Sequence, residues 1–231
     1  MAEKRDDKIE DVLVDSDLAK QLVPNKFKFT SHQGRIRRQK LLMGAKKLSE
    51  TAHIDDITLA DVCEEAGIPR ASAYHFFPNV EAIFLALRFL NAIESLAALS
   101  QIKTDDYNRW QGYVTAIIDT GVSLLHEDKT KARLIYEANT PEFSDDSHGK
   151  KIEHQVAKLV YDNLASRYEM PDYDNIENVL LISYGIVNAV FTLSYRIHQE
   201  ITEEYRQEAI TACIAYLRCY LPEKLHHKLS S

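Results

Sequence analysis

The residues from Ile57 to Pro78 constrain the fold of this chain more than any other stretch. Thr58 precedes apolar residues that recur at spacings of three and four, and Asp61 stands at the acidic position of a capping box. Gly67 follows the last of these residues, where a left-handed helix end favours glycine, and Pro69 stands where a new helix would begin. The pattern predicts two short helices joined by a tight turn, the outline of a helix-turn-helix.

The second predicted helix, Arg70 to Phe76, is too short to be stable without packing against other elements. Its inward face would consist of Ala73, Phe76 and Phe77. Its outward face would carry small and polar side chains, those of Arg70, Ala71, Ser72, Tyr74 and His75. Such a surface on the second helix of this motif is typical of a helix that lies in the major groove of DNA.

These residues resemble the DNA-binding domain of the TetR family of bacterial transcriptional regulators, whose pattern is roughly T-x-x-x-I-A-x-x-A-G-V-S-x-G-T-x-Y-x-H-F-x-S-K-E-x-L. The positions that match in register are Thr58, Val62, Ala66, Gly67, Ile68, Tyr74, Phe77, Pro78, Glu81 and Ile83. The sequence departs from the pattern at Pro69, where serine is usual, at Ala71, where glycine is usual, and at Val80, where a phosphate-facing lysine is usual. The resemblance covers nearly the whole chain by length and helical pattern, and it implies a homodimer with a ligand-binding second domain.

Within the motif, we expect Arg70, Ser72 and His75 to contact base edges. Arginine can bond guanine bidentately, and serine and histidine can bond several acceptors. Ala71 lies among them on the same helix. Tyr74 and Thr58 are predicted to contact phosphates. Arg37 and Lys46 are predicted to add positive charge nearby.

Charge is unevenly distributed along the chain. The formal net charge is -7, yet the stretch from Arg35 to Lys47 holds six basic residues and no acidic one. A basic edge on an acidic body favours a DNA reader over a general polyanion binder. The three cysteines lack C-x-x-C spacing, and no long apolar run follows the charged start, so we expect a cytoplasmic protein without structural disulfides.

The rest of the sequence gives little sign of catalysis, metal binding or membrane insertion. The segment from Val179 to Ile197 is long and apolar, but it contains Asn188 and Arg196, so we predict a buried helix. The adjacent His226 and His227 have poor chelating geometry, and no nucleophile elbow, phosphate loop or metalloprotease motif occurs. We therefore predict no enzyme activity, no cofactor and no metal site.

The pattern predicts an all-α fold of about nine helices. The resemblance implies that a three-helix helix-turn-helix DNA-binding domain is joined by a long helix to a helical ligand-binding and dimerisation domain. The predicted domains are an extension over 1–34, a DNA-binding domain over 35–82, a ligand-binding and dimerisation domain over 83–222 and a tail over 223–231. Outside the motif, helices are predicted near 37–51, 80–100, 107–126, 129–138, 150–168, 174–199 and 202–221, with a loop over 140–149.

The extension has two parts with different character. Its first part is acidic, with Ile9, Val12, Leu13 and Leu18 at helical spacing, and its second part, Pro24 to Phe29, is basic and aromatic. The second part has the composition of an arm that reaches the DNA backbone or minor groove. A loosely packed tail is the alternative.

The second domain carries candidate residues for a ligand pocket and for a dimer interface. The pocket candidates are aromatic and polar residues on apolar helices, namely Trp110, Tyr113, Tyr136, Tyr161, Tyr184, Asn188 and Phe191. Core packing is the alternative for each of them. The last two helices are apolar on more than one stripe, and the interface candidates there are Ile182, Ile186, Val190, Ile210, Ile214 and Leu217.

Together these features predict a homodimeric transcriptional regulator that binds a near-palindromic double-stranded operator. The family resemblance implies a repressor that a small-molecule ligand releases from DNA. Two alternatives stay open on the sequence: a constitutive DNA-binding dimer that recruits a protein partner in a nucleoid-associated role, and a helical interaction module whose DNA binding has decayed.

Overall fold

The computed structural model describes residues 32–137 and 147–228, with backbone alone for 147–151. Nine α-helices follow one another in these residues: α1 His32–Ser49, α2 Leu59–Ala66, α3 Arg70–Ala73, α4 Val80–Ser100, α5 Trp110–Glu127, α6 Lys129–Tyr136, α7 Ser147–Arg167, α8 Ile176–His198 and α9 Glu203–Leu217. Extended backbone pairs only at an isolated antiparallel bridge between Tyr168 and His227, within the described residues. The predicted all-α fold is confirmed.

Several helix boundaries differ from those predicted. α1 begins at His32 rather than near Arg37, so the expected domain start at residue 35 falls inside a helix. α3 ends at Ala73 rather than Phe76, and α7 begins at Ser147, inside the expected loop over 140–149. The rest of that loop, residues 140–146, and both parts of the N-terminal extension before His32 lie outside the described residues.

The backbone contacts divide the chain into two compact units. The first contains residues 32–94 and 128–137, and the second contains residues 95–127 and 147–228. The boundary therefore falls inside α4 rather than at residue 82, and α6 belongs to the unit that holds the helix-turn-helix. The four domain assignments made from the sequence remain predictions.

The first unit has its own apolar core. Buried side chains from α1, α2, α4 and α6 form one cluster with Phe77, which lies three residues before α4 and is fully buried. Leu41, Val62, Ile83 and Leu134 are further buried members of this cluster. Burying an aromatic ring together with these aliphatic side chains supplies the packing that the short helices α2 and α3 lack on their own.

The segment that follows α9 is held against the rest of the second unit. Trp110 is fully buried, and its indole N–H donates a hydrogen bond to the carbonyl of Pro222 at 2.9 Å. Leu225 is buried, and the backbone N–H of Glu169 donates to the carbonyl of His226 at 2.8 Å. These contacts hold the segment through residue 228 against its own unit, and the domain assignment of a tail over 223–231 remains a prediction.

Two helices, α4 and α8, are long and apolar enough to cross a membrane on length and composition alone. A core helix of a soluble protein satisfies the same test, and both helices are partly buried within the described structure. Their hydropathy is weak evidence for a membrane span.

Candidate nucleic-acid interface

The amino-terminal end of α2 is fixed by the capping box expected from the sequence. The Thr58 hydroxyl donates to the Asp61 carboxylate at 2.6 Å, the Thr58 backbone N–H donates to it at 2.8 Å, and the Asp61 N–H donates to the Thr58 Oγ1 at 3.3 Å. These hydrogen bonds, first that of the hydroxyl, hold the pKa of the Asp61 carboxyl below its usual value. Thr58 is exposed, but its hydroxyl is already engaged in the cap.

The other end of α2 turns through Gly67, which adopts the left-handed conformation at φ 64° and ψ 33°. The N–H of Ile68 donates to the carbonyl of Cys63 at 3.0 Å and the N–H of Gly67 donates to that of Glu64 at 3.1 Å. This arrangement satisfies the last carbonyls of α2 and sets the direction in which Pro69 and α3 leave it.

We expect Gly67→Ala to destabilise the protein by about 1–2 kcal/mol through backbone strain alone. A Cβ at this position would meet nothing within 4 Å, so steric clash contributes no additional cost. Gly67→Asn is the matched control, because asparagine tolerates the left-handed region and should cost less. Urea unfolding of both variants measures the difference; equal midpoints for alanine and asparagine would contradict the assignment.

The recognition segment, residues 70–77, begins with the single helical turn of α3 and continues into a tighter second turn. The N–H of His75 donates to Ser72 at 3.2 Å and that of Phe76 donates to Ala73 at 2.9 Å, both bonds spanning three residues. Ala73 and Phe77 are fully buried beneath it. The structure places the five predicted outward residues on this segment: Arg70, Ala71, Tyr74 and His75 are exposed, Tyr74 by 60%, and Ser72 is half-buried.

α1 packs against the back of α2 and carries the basic edge. A Cβ at Gly44 would lie 3.3 Å from the Val62 carbonyl oxygen, so glycine permits this close approach. Lys46 forms an ion pair with Asp128 at 2.8 Å. The Asp128 carboxylate therefore balances the positive charge that Lys46 was predicted to add beside DNA. Arg37 is exposed on the same helix.

Arg133 of α6 connects this helix to the end of α1 within the first unit. Its guanidinium Nη1 donates to the carbonyls of Ser49 at 2.7 Å and Ala52 at 3.2 Å, where α1 ends and the turn toward α2 begins. Its Nε also lies 3.7 Å from the Glu137 carboxylate. Sequence reasoning missed this residue, since the donor and acceptors are more than 80 positions apart and no local pattern links them.

Replacing Arg133 with methionine should lower the free energy of unfolding by about 1–2 kcal/mol. The side chain is 30% exposed, so the loss lies toward the low end of values for hydrogen bonds to charged groups. Lys129→Met removes a charge from an exposed position on the same helix and should change stability by less than about 0.5 kcal/mol. Thermal unfolding followed by circular dichroism compares the two; similar losses would show that Arg133 is not a specific cap.

The candidate pocket residues are divided between the two units. Tyr136 belongs to the first unit, and the other six belong to the second. Tyr113 is fully buried, and its hydroxyl accepts a hydrogen bond from the Asn163 amide at 2.8 Å, while burial raises the pKa of that hydroxyl. Three candidates share α8, with Phe191 buried and Tyr184 and Asn188 partly exposed; Tyr161 on α7 is also partly exposed.

The candidate interface residues divide by burial. Ile210 and Leu217 on α9 are buried inside their own unit, so their side chains are not available to a partner. Ile186, Val190 and Ile214 are partly exposed. The most exposed apolar side chains on α8 are Ile182 at 44%, Leu193 at 50% and Ile197 at 56%; the sequence reasoning did not single out the last two. At these spacings the three share one face of the helix.

Comparison with known proteins gives sequence matches to the regulator EthR and many fold matches. No protein-family model matches the chain. The chain is 32% identical over 105 residues to the HTH-type transcriptional regulator EthR of Mycobacterium tuberculosis, a match that covers 43% of this chain and 47% of EthR. The chain thus spans about half the length of the curated relatives it matches.

The fold is that of TetR-family structures. A TetR-family transcriptional regulator from Streptomyces coelicolor superposes with a TM-score of 0.59 at 22% identity, covering 80% of this chain and 99% of that one. SmeT, the repressor of the Stenotrophomonas maltophilia multidrug efflux pump SmeDEF, superposes in complex with triclosan with a TM-score of 0.56 at 14% identity, covering 84% of this chain and 99% of SmeT. At these identities the structural matches concern the fold.

Proposed function

We propose that the chain is a TetR-family transcriptional regulator, which binds a specific DNA operator as a homodimer and acts as a repressor. One observation carries the proposal. An exposed turn bearing Arg70, Tyr74 and His75 rests on a buried Phe77 and follows a capped α2. This arrangement directs polar side chains outward from a packed scaffold, as major-groove recognition requires.

In the proposed complex, Arg70, Ser72 and His75 contact base edges, with Ala71 leaving room for the approach of the DNA. Tyr74 contacts a phosphate, and Arg37 adds positive charge beside the backbone. Two earlier candidates have a smaller part. The hydroxyl and backbone N–H of Thr58 serve the cap and Lys46 is paired with Asp128, so Thr58 offers its methyl group and Lys46 adds little net charge.

The proposed dimer pairs α8 of one subunit with α8 of its partner, with α9 beside them. The exposed Ile182, Leu193 and Ile197 support this, because a row of large apolar side chains on one helix face is stabilised by burial against another protein surface. Ile186, Val190 and Ile214 flank this row. Two-fold symmetry presents two α3 segments to successive major grooves, which predicts a near-palindromic operator.

The proposed switch is a small-molecule ligand bound in the second unit. Ligand binding favours a spacing of the two DNA-binding units that does not match successive grooves, and α4, which contributes residues to both units, transmits the change. The pocket candidates of the second unit, on α5, α7 and α8, are proposed to line the site. The protein is proposed to act in the cytoplasm, where its DNA target lies.

Selection from a random-sequence duplex library, followed by footprinting of the enriched duplex, tests DNA binding. We expect a near-palindromic consensus and an affinity that falls steeply with salt concentration. Failure to enrich any sequence would overturn the proposal. Titration of the bound complex with a panel of small hydrophobic compounds then tests the switch, and operator affinity unchanged by every compound would remove ligand control while leaving DNA binding in place.

A second candidate is a constitutive DNA-binding dimer that recruits a protein partner. The buried polar groups of Trp110 and Tyr113 favour it, since each already has a hydrogen-bond partner within the protein. A ligand site requires polar groups that are available to the ligand. Capture of the same protein by the purified dimer in the presence and absence of operator DNA, together with no response to ligands, would favour this candidate over the switch.

A further inference from the structure

The outer face of α1 combines exposed apolar side chains with positive charge. Ile36 and Met43 are 40% and 41% exposed, and Lys40 lies between them at a spacing of four and three residues. These positions fall on one side of the helix, opposite the buried Leu41 and Ala45. The surface formed by Ile36, Arg37, Lys40 and Met43 is here called the outer α1 face.

The positive charge on this face is not balanced inside the first unit. α1 contains six basic residues and no acidic one. Toward its C-terminal end, Lys46 is paired with Asp128 and Lys47 with Glu65. Among the described residues, Arg37 and Lys40 have no carboxylate within 4.0 Å. A ligand that offers apolar groups and negative charge together would match this face.

The chain itself contains a segment with that chemistry. Between Asp6 and Asp17 there are six acidic residues and one basic residue, and the same stretch contains Ile9, Val12 and Leu13. These three apolar residues recur at the spacing of one helical face, with acids between and beside them. The segment therefore offers both the apolar groups and the negative charge that would complement the outer α1 face.

The connection to α1 is long enough for the segment to reach this face. Thirteen residues separate Leu18 from His32, where α1 begins, and an extended chain of that length spans up to about 45 Å. α1 has 18 residues and is therefore about 27 Å long. The segment can accordingly fold back over any part of the helix.

We propose that the acidic segment, residues 6–18, docks on the outer α1 face of its own chain and competes there with DNA phosphates for Arg37 and Lys40. This intramolecular contact regulates the DNA interface and rests on the proposed function. A tether of this length provides a local concentration of about 1 mM, so an intrinsic dissociation constant of about 0.1–0.5 mM would lower the apparent operator affinity about three- to tenfold.

The first test neutralises the segment in the full-length protein by replacing Asp6, Asp7, Asp11, Asp15 and Asp17 with asparagine and Glu10 with glutamine. The selected duplex should then bind about three- to tenfold more tightly in 0.1 M salt. A control variant undergoes the same change of charge at exposed acids of the second unit, Asp106, Asp172, Asp174, Glu177, Glu204 and Glu208, and should bind less than twofold more tightly. Equal gains in both variants would overturn the proposal, because general repulsion of DNA would account for them.

The second test removes the apolar part of the docking face. Ile36→Ser combined with Met43→Ser should also tighten operator binding, and adding the neutralised segment should give no further gain, because both changes abolish one contact. Independent additive gains would contradict docking at this face.

The third test does not depend on DNA binding. A photoreactive benzoylphenylalanine in place of Val12 should cross-link to residues 32–47 of the same chain, and addition of the selected duplex should reduce the yield. Cross-links elsewhere, cross-links that join two chains, or none at all would overturn the proposal. If no variant binds DNA while the cross-link to α1 forms, the proposed function fails and the docking contact stands.

Discussion

Replacing Arg70 and Tyr74 together with alanine should lower operator affinity roughly a thousandfold. Both side chains are exposed on the recognition segment, Tyr74 by 60%. Loss of an arginine contact to guanine costs about 1–3 kcal/mol, and a phosphate contact adds to it. A loss of about 2 kcal/mol in each half-site doubles in the symmetric dimer, and about 4 kcal/mol corresponds to three orders of magnitude in the dissociation constant.

Fluorescence anisotropy with the selected duplex and with an unrelated duplex measures this effect. Binding to the unrelated duplex should fall much less, because phosphate contacts elsewhere supply most non-specific affinity. Lys103→Ala removes one exposed positive charge from the second unit and is the control for general electrostatics. An unchanged affinity of the double variant, with Lys103→Ala behaving identically, would support a decayed DNA-binding motif.

The stability of the first unit should be nearly unaffected by the same double substitution. Neither side chain belongs to its apolar core, which contains Phe77 and Ile83. Surface substitutions of this kind change stability by about 0.5 kcal/mol or less. A loss of affinity accompanied by unchanged thermal unfolding therefore assigns the effect to the interface with DNA.

Local features of the helix-turn-helix followed from the sequence because each depends on a few neighbouring residues. The capping box of Thr58 and Asp61 and the left-handed Gly67 are both present as predicted. The length of α3 was overestimated. Periodicity extended it to Phe76, whereas the α-helix ends at Ala73 and the N–H groups of His75 and Phe76 donate to carbonyls three residues back.

Contacts between distant residues could not be predicted in this way. The cap that Arg133 places on the end of α1 and the bond from Trp110 to Pro222 join residues 84 and 112 positions apart. Nothing in either local sequence specifies its partner. For the same reason the sequence did not reveal the contacts of the segment after residue 222 or the ion pair between Lys46 and Asp128.

Burial in the single subunit distinguishes among the interface residues predicted from the sequence. The apolar stripes of α8 and α9 indicated that both helices are buried on two sides, but they did not show which stripe faces the subunit's own core. In the structure Ile210 and Leu217 face that core, while Leu193 and Ile197 remain exposed. The dimer proposal therefore depends on α8 more than the sequence suggested.

Leu193→Glu should convert the protein to a monomer and lower operator affinity about 100-fold or more. The side chain is half exposed in the single subunit, so the subunit fold accommodates the change. In the proposed symmetric dimer this position is buried in both subunits. An unpaired carboxylate there loses its hydration without gaining a partner. Separating the two DNA-binding units removes the high effective concentration of the second half-site, which contributes a factor of about 100 to 10,000.

Sedimentation velocity and anisotropy measure the two effects on the same samples. Ile197→Glu tests the same face at a second exposed position, while Ser123→Glu adds an equal charge at an exposed position of α5 and should leave both the dimer and its affinity intact. Helix content by circular dichroism should be the same in all three variants, which separates dissociation from unfolding. Persistence of the dimer in both α8 variants would place the interface elsewhere, and monomers that bind the full operator with unchanged affinity would remove dimerisation from the mechanism.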